Sequence, residues 1–298
     1  MIATVGTFDG VHRGHQFLLR KLVETAKLMG LRSAVVTFKN HPTEVLSANN
    51  TAKALLSASA KERLIRAAEV DEVLFFTFDE SLRRMSSLQF ARHLRDNYGV
   101  TAFLVGYNNR FGSDVELSFE QFEAGLITEG FKVVVVKDQL EKISSTSIRR
   151  LLERGDVSAA ANLFGRLYSL EGRVVRGKGV GHTIGFPTAN IEPIVANQLV
   201  PCGGVYATFA TVDGTKFGAM VNIGHRPTVE GNALAPVTIE ANIFDFNGDL
   251  YGKDVEISFV QRLRDEHHFD DISALRRQLQ NDVASTRQIL ANYEKSTK

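Results

Sequence analysis

Two histidines three residues apart, His12 and His15, lie in the run Val5-Gly6-Thr7-Phe8-Asp9-Gly10-Val11-His12-Arg13-Gly14-His15, which joins a short β-branched segment to an amphipathic one. Residues three apart in a first helical turn point the same way, so both imidazoles can donate hydrogen bonds to the oxygens of one phosphate. Gly6 and Gly10 let the backbone come close to an anion, and the amides of a helix start add partial positive charge. Donors so placed suit the charge that builds on a pentacoordinate phosphorus. By type alone the histidines read equally as surface residues and the glycines as turn formers. Their place between a strand and a helix is what favours phosphate chemistry.

A second group is Ile143-Ser144-Ser145-Thr146-Ser147-Ile148-Arg149-Arg150, in which hydroxyls stand at a helix N-cap and arginines follow in the first turn. Alone it is a capped helix; following the last strand of a sheet that begins beside His12 and His15, it puts Arg149 in reach of a leaving pyrophosphate. A third is Gly172 to Asn190, a strand, then Gly177, Lys178, Gly179 and Gly181, then the polar ending Thr188-Ala189-Asn190. The glycines lack the Gly-Lys-Ser/Thr ending of a P-loop, so by spacing alone they read more readily as a flexible hairpin. Thr188 and Asn190, two apart on an extended stretch, offer a hydroxyl and an amide oxygen on one side, which suits Mg²⁺, a hard cation taking few protein ligands.

These residues need elements to position them. From Ile2 to Leu163 short apolar runs (Ile2 to Val5, Ser33 to Phe38, Val73 to Phe78, Ala102 to Val105, Lys132 to Val136) alternate with helical patterns at 15–29, 60–68 and 87–97, the mark of an α/β domain with a parallel sheet. After that the period changes: strands at 170–175, 204–212, 216–222, 237–246 and 254–260 are separated by Gly, Asn and Asp turns, which predicts a small antiparallel barrel or sandwich. A helix over about 273–293, with Leu275, Leu279, Val283, Ile289 and Leu290 on one face, closes the chain against it. Two domains, 1–164 and 165–298, are expected of 298 residues.

Composition narrows the chemistry. Thirty-five Lys and Arg against 34 Asp and Glu leave a formal charge of +1, and no basic block argues for nucleic acid or an anionic membrane as partner. Small-molecule substrates are the expectation. The single cysteine, Cys202, cannot pair within the chain, and no apolar run approaches the roughly 18 residues of a membrane span, so a cytoplasmic protein is expected. Monomer and transient homo-oligomer are both left open.

The motifs GTFDGVHRGH and ISSTSIRR, in that order, resemble the nucleotidylyltransferase superfamily, and His41-Pro42 with Gly106-Tyr107-Asn108-Asn109-Arg110-Phe111-Gly112 resemble the flavin-side loops of its FMN adenylyltransferase branch. GKGVGHTIGFPTANI, Gly204-Val205-Tyr206, Asn222-Ile223-Gly224, Ile239-Glu240 and the stretch from Arg264 to Asp282 resemble the riboflavin kinase module. The whole chain is thus similar to the bacterial bifunctional riboflavin kinase and FMN adenylyltransferase family, with Thr43, Asn108 and His182 standing where that family often has Arg, an acid and Arg.

The resemblance implies an N-terminal Rossmann-like domain, a C-terminal barrel with a terminal helix, and two ATP-using reactions that turn riboflavin into FMN and FMN into FAD, with Mg²⁺. It implies ATP binding in the first domain by Gly6, Phe8, Asp9, Gly10, His12, His15, Ser145, Thr146 and Arg149, and in the second by Gly177, Lys178, Gly179, Gly181, Thr188 and Asn190, the last two also holding metal. Flavin contacts fall to Asn108, Arg110, Phe111, Arg264 and Phe269, with core packing the alternative for the aromatics. Glu240 is placed as the base of the kinase, and His12, His15 and Arg149 as the groups that carry adenylyl transfer.

Overall fold

The structure is a computed structural model describing residues 1–46, 52–106, 110–114, 116–137, 143–177, 185–195, 197–225, 237–267, 269 and 271–297. It divides into two compact units, Met1–Ser145 and Thr146–Lys298. Among the described residues no helix is long and apolar enough to cross a membrane.

In the first unit, strands β1 (Ile2–Val5), β2 (Ser33–Phe38), β3 (Glu72–Phe76), β4 (Ala102–Gly106) and β5 (Lys132–Val136) form one parallel sheet in the order β3-β2-β1-β4-β5. The order reverses between β1 and β4. In an open α/β sheet that is where loops leaving the strands' carboxyl ends part to make a crevice. The helices are α1 (Arg13–Met29), the short α2 (Thr43–Leu46), α3 (Ala58–Arg66), the short α4 (Glu80–Arg84), α5 (Ser87–Tyr98) and α6 (Phe119–Thr128). Strands β1 and β2 are wholly buried, and apolar cores lie on both faces of the sheet: Leu19, Leu22, Val35 and Ile65 in one, Phe90, Leu94, Phe103 and Phe122 in the other. Local signals agree with the ends of these elements. Gly30, at φ +64°, closes α1 in the left-handed conformation glycine favours, and Ser86 with Gln89 and Ser118 with Gln121 make capping boxes at α5 and α6.

Helix α7 (Ser145–Glu153) starts at the last residue of the first unit, and α8 (Val157–Phe164) belongs to the second. The compact units therefore meet some twenty residues before 164/165, where the sequence period changes. Packing explains this: the Cys202 amide donates to the Leu152 carbonyl, and Phe164 stacks on Tyr168. These helices continue an α/β pattern in sequence while burying their side chains with the barrel.

The barrel is closed, in the order β10-β7-β6-β11-β8-β9, from β6 (Tyr168–Val175), β7 (Ala189–Pro193), β8 (Gly204–Val212), β9 (Thr215–His225), β10 (Val237–Ile243) and β11 (Asp254–Arg264). Closure removes exposed edges. The long helix α9 (Ile272–Ser296), capped by Asp271, lays Leu279, Val283, Ile289 and Leu290 against Val205, Phe209, Met220 and Phe244 of the barrel.

Candidate functional site

In the first unit the chain leaves β1 through a loop under strain. Phe8, Gly10 and Val11 have φ of +46°, +83° and +37°, and only the glycine adopts such values without cost. The loop is held by its own residues: Asp9, 4% exposed, accepts the Leu55 amide on its carboxylate at 3.0 Å and the Ser145 hydroxyl on its carbonyl at 2.8 Å. Gly6 donates to the Val36 carbonyl at 3.0 Å. The Phe8 ring is buried in the core and packs at 5.1 Å from the His15 ring.

His12 is the N-cap of α1, its Nδ1 accepting the His15 amide at 3.4 Å, and the two imidazoles stack with centroids 3.7 Å apart. Gly14 makes room, for a Cβ there would lie 3.2 Å from the His12 ring. With Nδ1 as acceptor, His12 carries its proton on Nε2. The Nδ1 of His15 is buried without a hydrogen-bond partner among the described residues, and a buried N–H lacking an acceptor is costly, so His15 too is assigned the Nε2–H form. Burial first, then the neighbouring His12 and Lys61, hold the His15 pKa well below the usual imidazole value. Two stacked rings thus stand at the start of a helix beside the switch point of the sheet, His15 held neutral by burial.

Of the other residues expected here, Ser145 joins the loop through Asp9, whereas Thr146 and the half-buried Arg149 lie on α7 in the second unit. Asn108 lies outside the described residues. Arg110 is exposed and donates to the Leu117 carbonyl. Phe111 packs against Phe90, Phe103 and Phe122 with centroids 5.8, 5.2 and 5.1 Å away, and with Phe90 it lines a small cavity that also touches Phe38, Phe78 and Met85. Thr43 ties down the segment after β2, its hydroxyl 2.7 Å from His41 Nδ1 and accepting the Ala52 amide. Sequence reading missed Lys61, whose ammonium reaches the ends of β1 and β2; a lysine at a helix position gives no sign that its side chain turns inward.

In the second unit strand register does the assembling. Glu240 pairs with Asn190 of β7 on one side and with Asn222 of β9 on the other, which puts the three on one face of the barrel wall. Ile239 and Ala241, alternating with Glu240, are buried on the opposite face. Thr188, just before β7, brings its hydroxyl 3.5 Å from the Glu240 carboxylate, and Asn242 fixes that segment by donating to the Pro187 carbonyl at 2.7 Å. Gly177 lies against Asn190, where a Cβ would come within 1.9 Å of the side-chain amide nitrogen and push it aside. Lys178, Gly179, Gly181 and His182 lie outside the described residues.

Between this wall and α9 is a cavity of about 240 Å³, lined by Thr188, Asn222, Glu240, Arg264, Phe269 and Leu279 among others. Arg264 is spoken for within the fold: its guanidinium grips Asp282 of α9 at 2.8 to 3.2 Å, donates to the Asp265 carbonyl, and stands 5.8 Å from the Phe269 ring. Glu266, not singled out as a site residue from the sequence, accepts the Asn222 amide at 3.2 Å and lies over Gly224, where a Cβ would be 2.4 Å from its carboxylate. Among the described residues no cluster of three or more His, Cys, Asp or Glu could hold a metal. The neutral oxygens of Thr188 and Asn190, beside one carboxylate, instead fit a hard ion that keeps phosphate and water in its shell.

Comparison with known proteins adds to this geometry. Residues 1–147 match the FAD synthetase family and residues 164–290 the riboflavin kinase family. A bifunctional riboflavin kinase/FMN adenylyltransferase of Pseudomonas fluorescens is 37% identical over 97% of this chain and 93% of its own length. That of Bacillus subtilis is 33% identical over 99% and 94%. A solved structure, described as a macrolide-efflux protein from Streptococcus pneumoniae, superposes with a TM-score of 0.86 at 30% identity, covering 96% of this chain and 93% of that one. Its name is a statement about that protein alone.

Proposed function

The chain belongs to the bifunctional riboflavin kinase/FMN adenylyltransferase family, and on that premise we propose how its residues divide the work. It is an enzyme of FAD biosynthesis that uses ATP to phosphorylate riboflavin to FMN and then to adenylate FMN to FAD with release of pyrophosphate. The adenylyl reaction belongs to 1–164 and the kinase to 165–298. The register row Glu240, Asn190 and Asn222, with Thr188 against it, is the observation that carries the kinase assignment.

In the kinase reaction Glu240 accepts the proton of the riboflavin 5′-hydroxyl as that oxygen attacks the γ-phosphorus of ATP and ADP departs. Thr188 and Asn190 would hold Mg²⁺, which when bound supplies positive charge to the ATP phosphates. Gly177, with Lys178, Gly179 and Gly181 assigned from the motif, surrounds the nucleotide. Arg264 and Phe269 wall the flavin's side of the cavity, and because Arg264 is fixed by Asp282 it can present only its face to a ring.

In the adenylyl reaction a phosphate oxygen of FMN attacks the α-phosphorus of ATP, the bond to the bridging oxygen breaks, and pyrophosphate leaves. His12 and His15 donate through Nε2 to the phosphate oxygens as charge grows there, and the amides at the start of α1 add to this. Gly6, Phe8, Asp9 and Gly10 contribute backbone, Phe8 and Asp9 being committed to the fold through their side chains. Arg149 and Thr146 are assigned to the leaving pyrophosphate, and Asn108 and Arg110 to the flavin, on their motifs. The even charge supports small-molecule substrates over nucleic acid or a membrane as partner, and the lone cysteine supports a cytoplasmic location.

The test is separation of the two activities in one chain. His15→Ala should abolish FAD formation from FMN while sparing FMN formation from riboflavin, and Glu240→Ala should do the reverse. Parallel loss of both activities in either variant sinks the two-site assignment.

A further inference from the structure

Lys61, in the second turn of α3, is 7% exposed, and its side chain runs inward to the carboxyl ends of two neighbouring strands. Its ammonium donates to the Thr7 carbonyl at 3.0 Å, just beyond β1, and to the Phe38 carbonyl at 2.8 Å, the last residue of β2. The Thr7 carbonyl also accepts the Thr37 hydroxyl at 3.0 Å. A small cavity joins Lys61 to Thr7 and Asp9 on the one loop and to Asn40, His41 and Pro42 on the other.

Burying an ammonium costs several kcal/mol unless it is well paired, and a hydrocarbon of equal length would cost far less. Here the cost is borne where β1 gives way to the strained turn of Phe8, Gly10 and Val11 that leads to the two histidines. We propose that Lys61 is a positioning residue for adenylyl transfer. Its ammonium ties the loop carrying His12 and His15 to the segment carrying His41 and Pro42, and keeps a fixed positive charge beside the phosphate chemistry. The inference rests on the assignment of that chemistry to the first unit.

Charge as well as tether is involved. The groups that bear on His15 are His12 beside it on α1, Lys61 from α3 and the Phe8 ring from the loop, while Asp9 faces Lys61. Burial lowers the Lys61 pKa and Asp9 works the other way, and Lys61 in turn helps hold His15 in its neutral form. Removing the ammonium should therefore loosen the geometry and let His15 protonate at higher pH.

The experiment uses the full chain, with FAD formation from FMN and ATP followed across pH for wild type, Lys61→Met and Lys61→Arg, and riboflavin phosphorylation measured on the same preparations. Lys61→Met is expected to lower kcat for FAD formation about 100-fold, the scale of an ångström's misplacement, and to move the acid limb of its pH profile upward, with kinase activity unchanged. Lys61→Arg, which keeps the charge, is expected to restore the wild-type acid limb and at least about a tenth of the rate. Normal FAD formation by Lys61→Met overturns the inference. So does a slowed Lys61→Met whose acid limb stays in place, for that is a brace and nothing more. Should Lys61→Met lose its cooperative unfolding transition, Lys61→Arg decides, a displaced acid limb in that variant overturning the proposal. A wild type that makes no FAD would instead remove the assignment of the first unit.

Discussion

At the scale of single residues, the histidine pair shows how a fold sets protonation. Burial holds His15 well below its ordinary pKa of 6.5, so the unfolded chain takes up a proton at this residue before the native chain does. Stability linked to His15 is complete above pH 6.5 and is lost as pH falls from there toward the lower native value. Thermal unfolding followed by circular dichroism should show the first unit losing stability as pH falls below about 6.5, and His15→Gln should flatten that loss. The same burial suits function, since a neutral ring keeps one nitrogen as a donor without adding a titrating charge at working pH. Both histidines were legible in the sequence from their spacing after a glycine turn. Their side-by-side placement follows from that three-residue spacing, whereas the nearness of Lys61 depends on a contact between residues 46 apart in the chain, for which no local pattern exists.

Among elements, the decisive joint is between β11 and α9. Arg264 ends the strand and lines the cavity beside Glu240, and Asp282, 4% exposed on the helix with Gln278 also donating to it, holds the guanidinium in place. Removing the acid leaves a mostly buried guanidinium without its partner, which costs about 3 kcal/mol. Asp282→Ala should therefore lower the urea midpoint of the second unit and raise the KM for riboflavin, while FAD formation from supplied FMN is kept; an unchanged midpoint would show the pair to be dispensable. Sequence periodicity found the helix and the strand, but gave no reason to pair a residue in one with a residue in the other. It also passed over β7, a five-residue strand following a glycine-rich loop, although that strand carries Asn190 into register with Glu240.

For the whole molecule, the question is where one working unit ends. Family matches leave 148–163 between them, and those residues form most of α7 and α8, grouped with the barrel. A fragment beginning at Thr146 should be more stable than one beginning at Gly165 by at least about 1.5 kcal/mol, the lower figure for burying one Phe164 side chain, with calorimetry as the measure. Equal stability would mean that the helices do not support the barrel.

By itself the sequence determined that there are two domains of different class, one of alternating strands and helices and one of short strands with tight turns, because apolar periodicity is a local property of the chain. It also singled out the residues proposed to handle phosphate, because glycine, histidine and hydroxyl types placed between a strand and a helix form a local pattern. Only the tertiary structure decided which strands are neighbours, and so which residues meet: Glu240 with Asn190 and Asn222 through register, His15 with Lys61 through the approach of α3, and Arg264 with Asp282 through the docking of α9. Those meetings depend on how separate elements pack, and packing is a property of the assembled core that no single stretch of the chain contains.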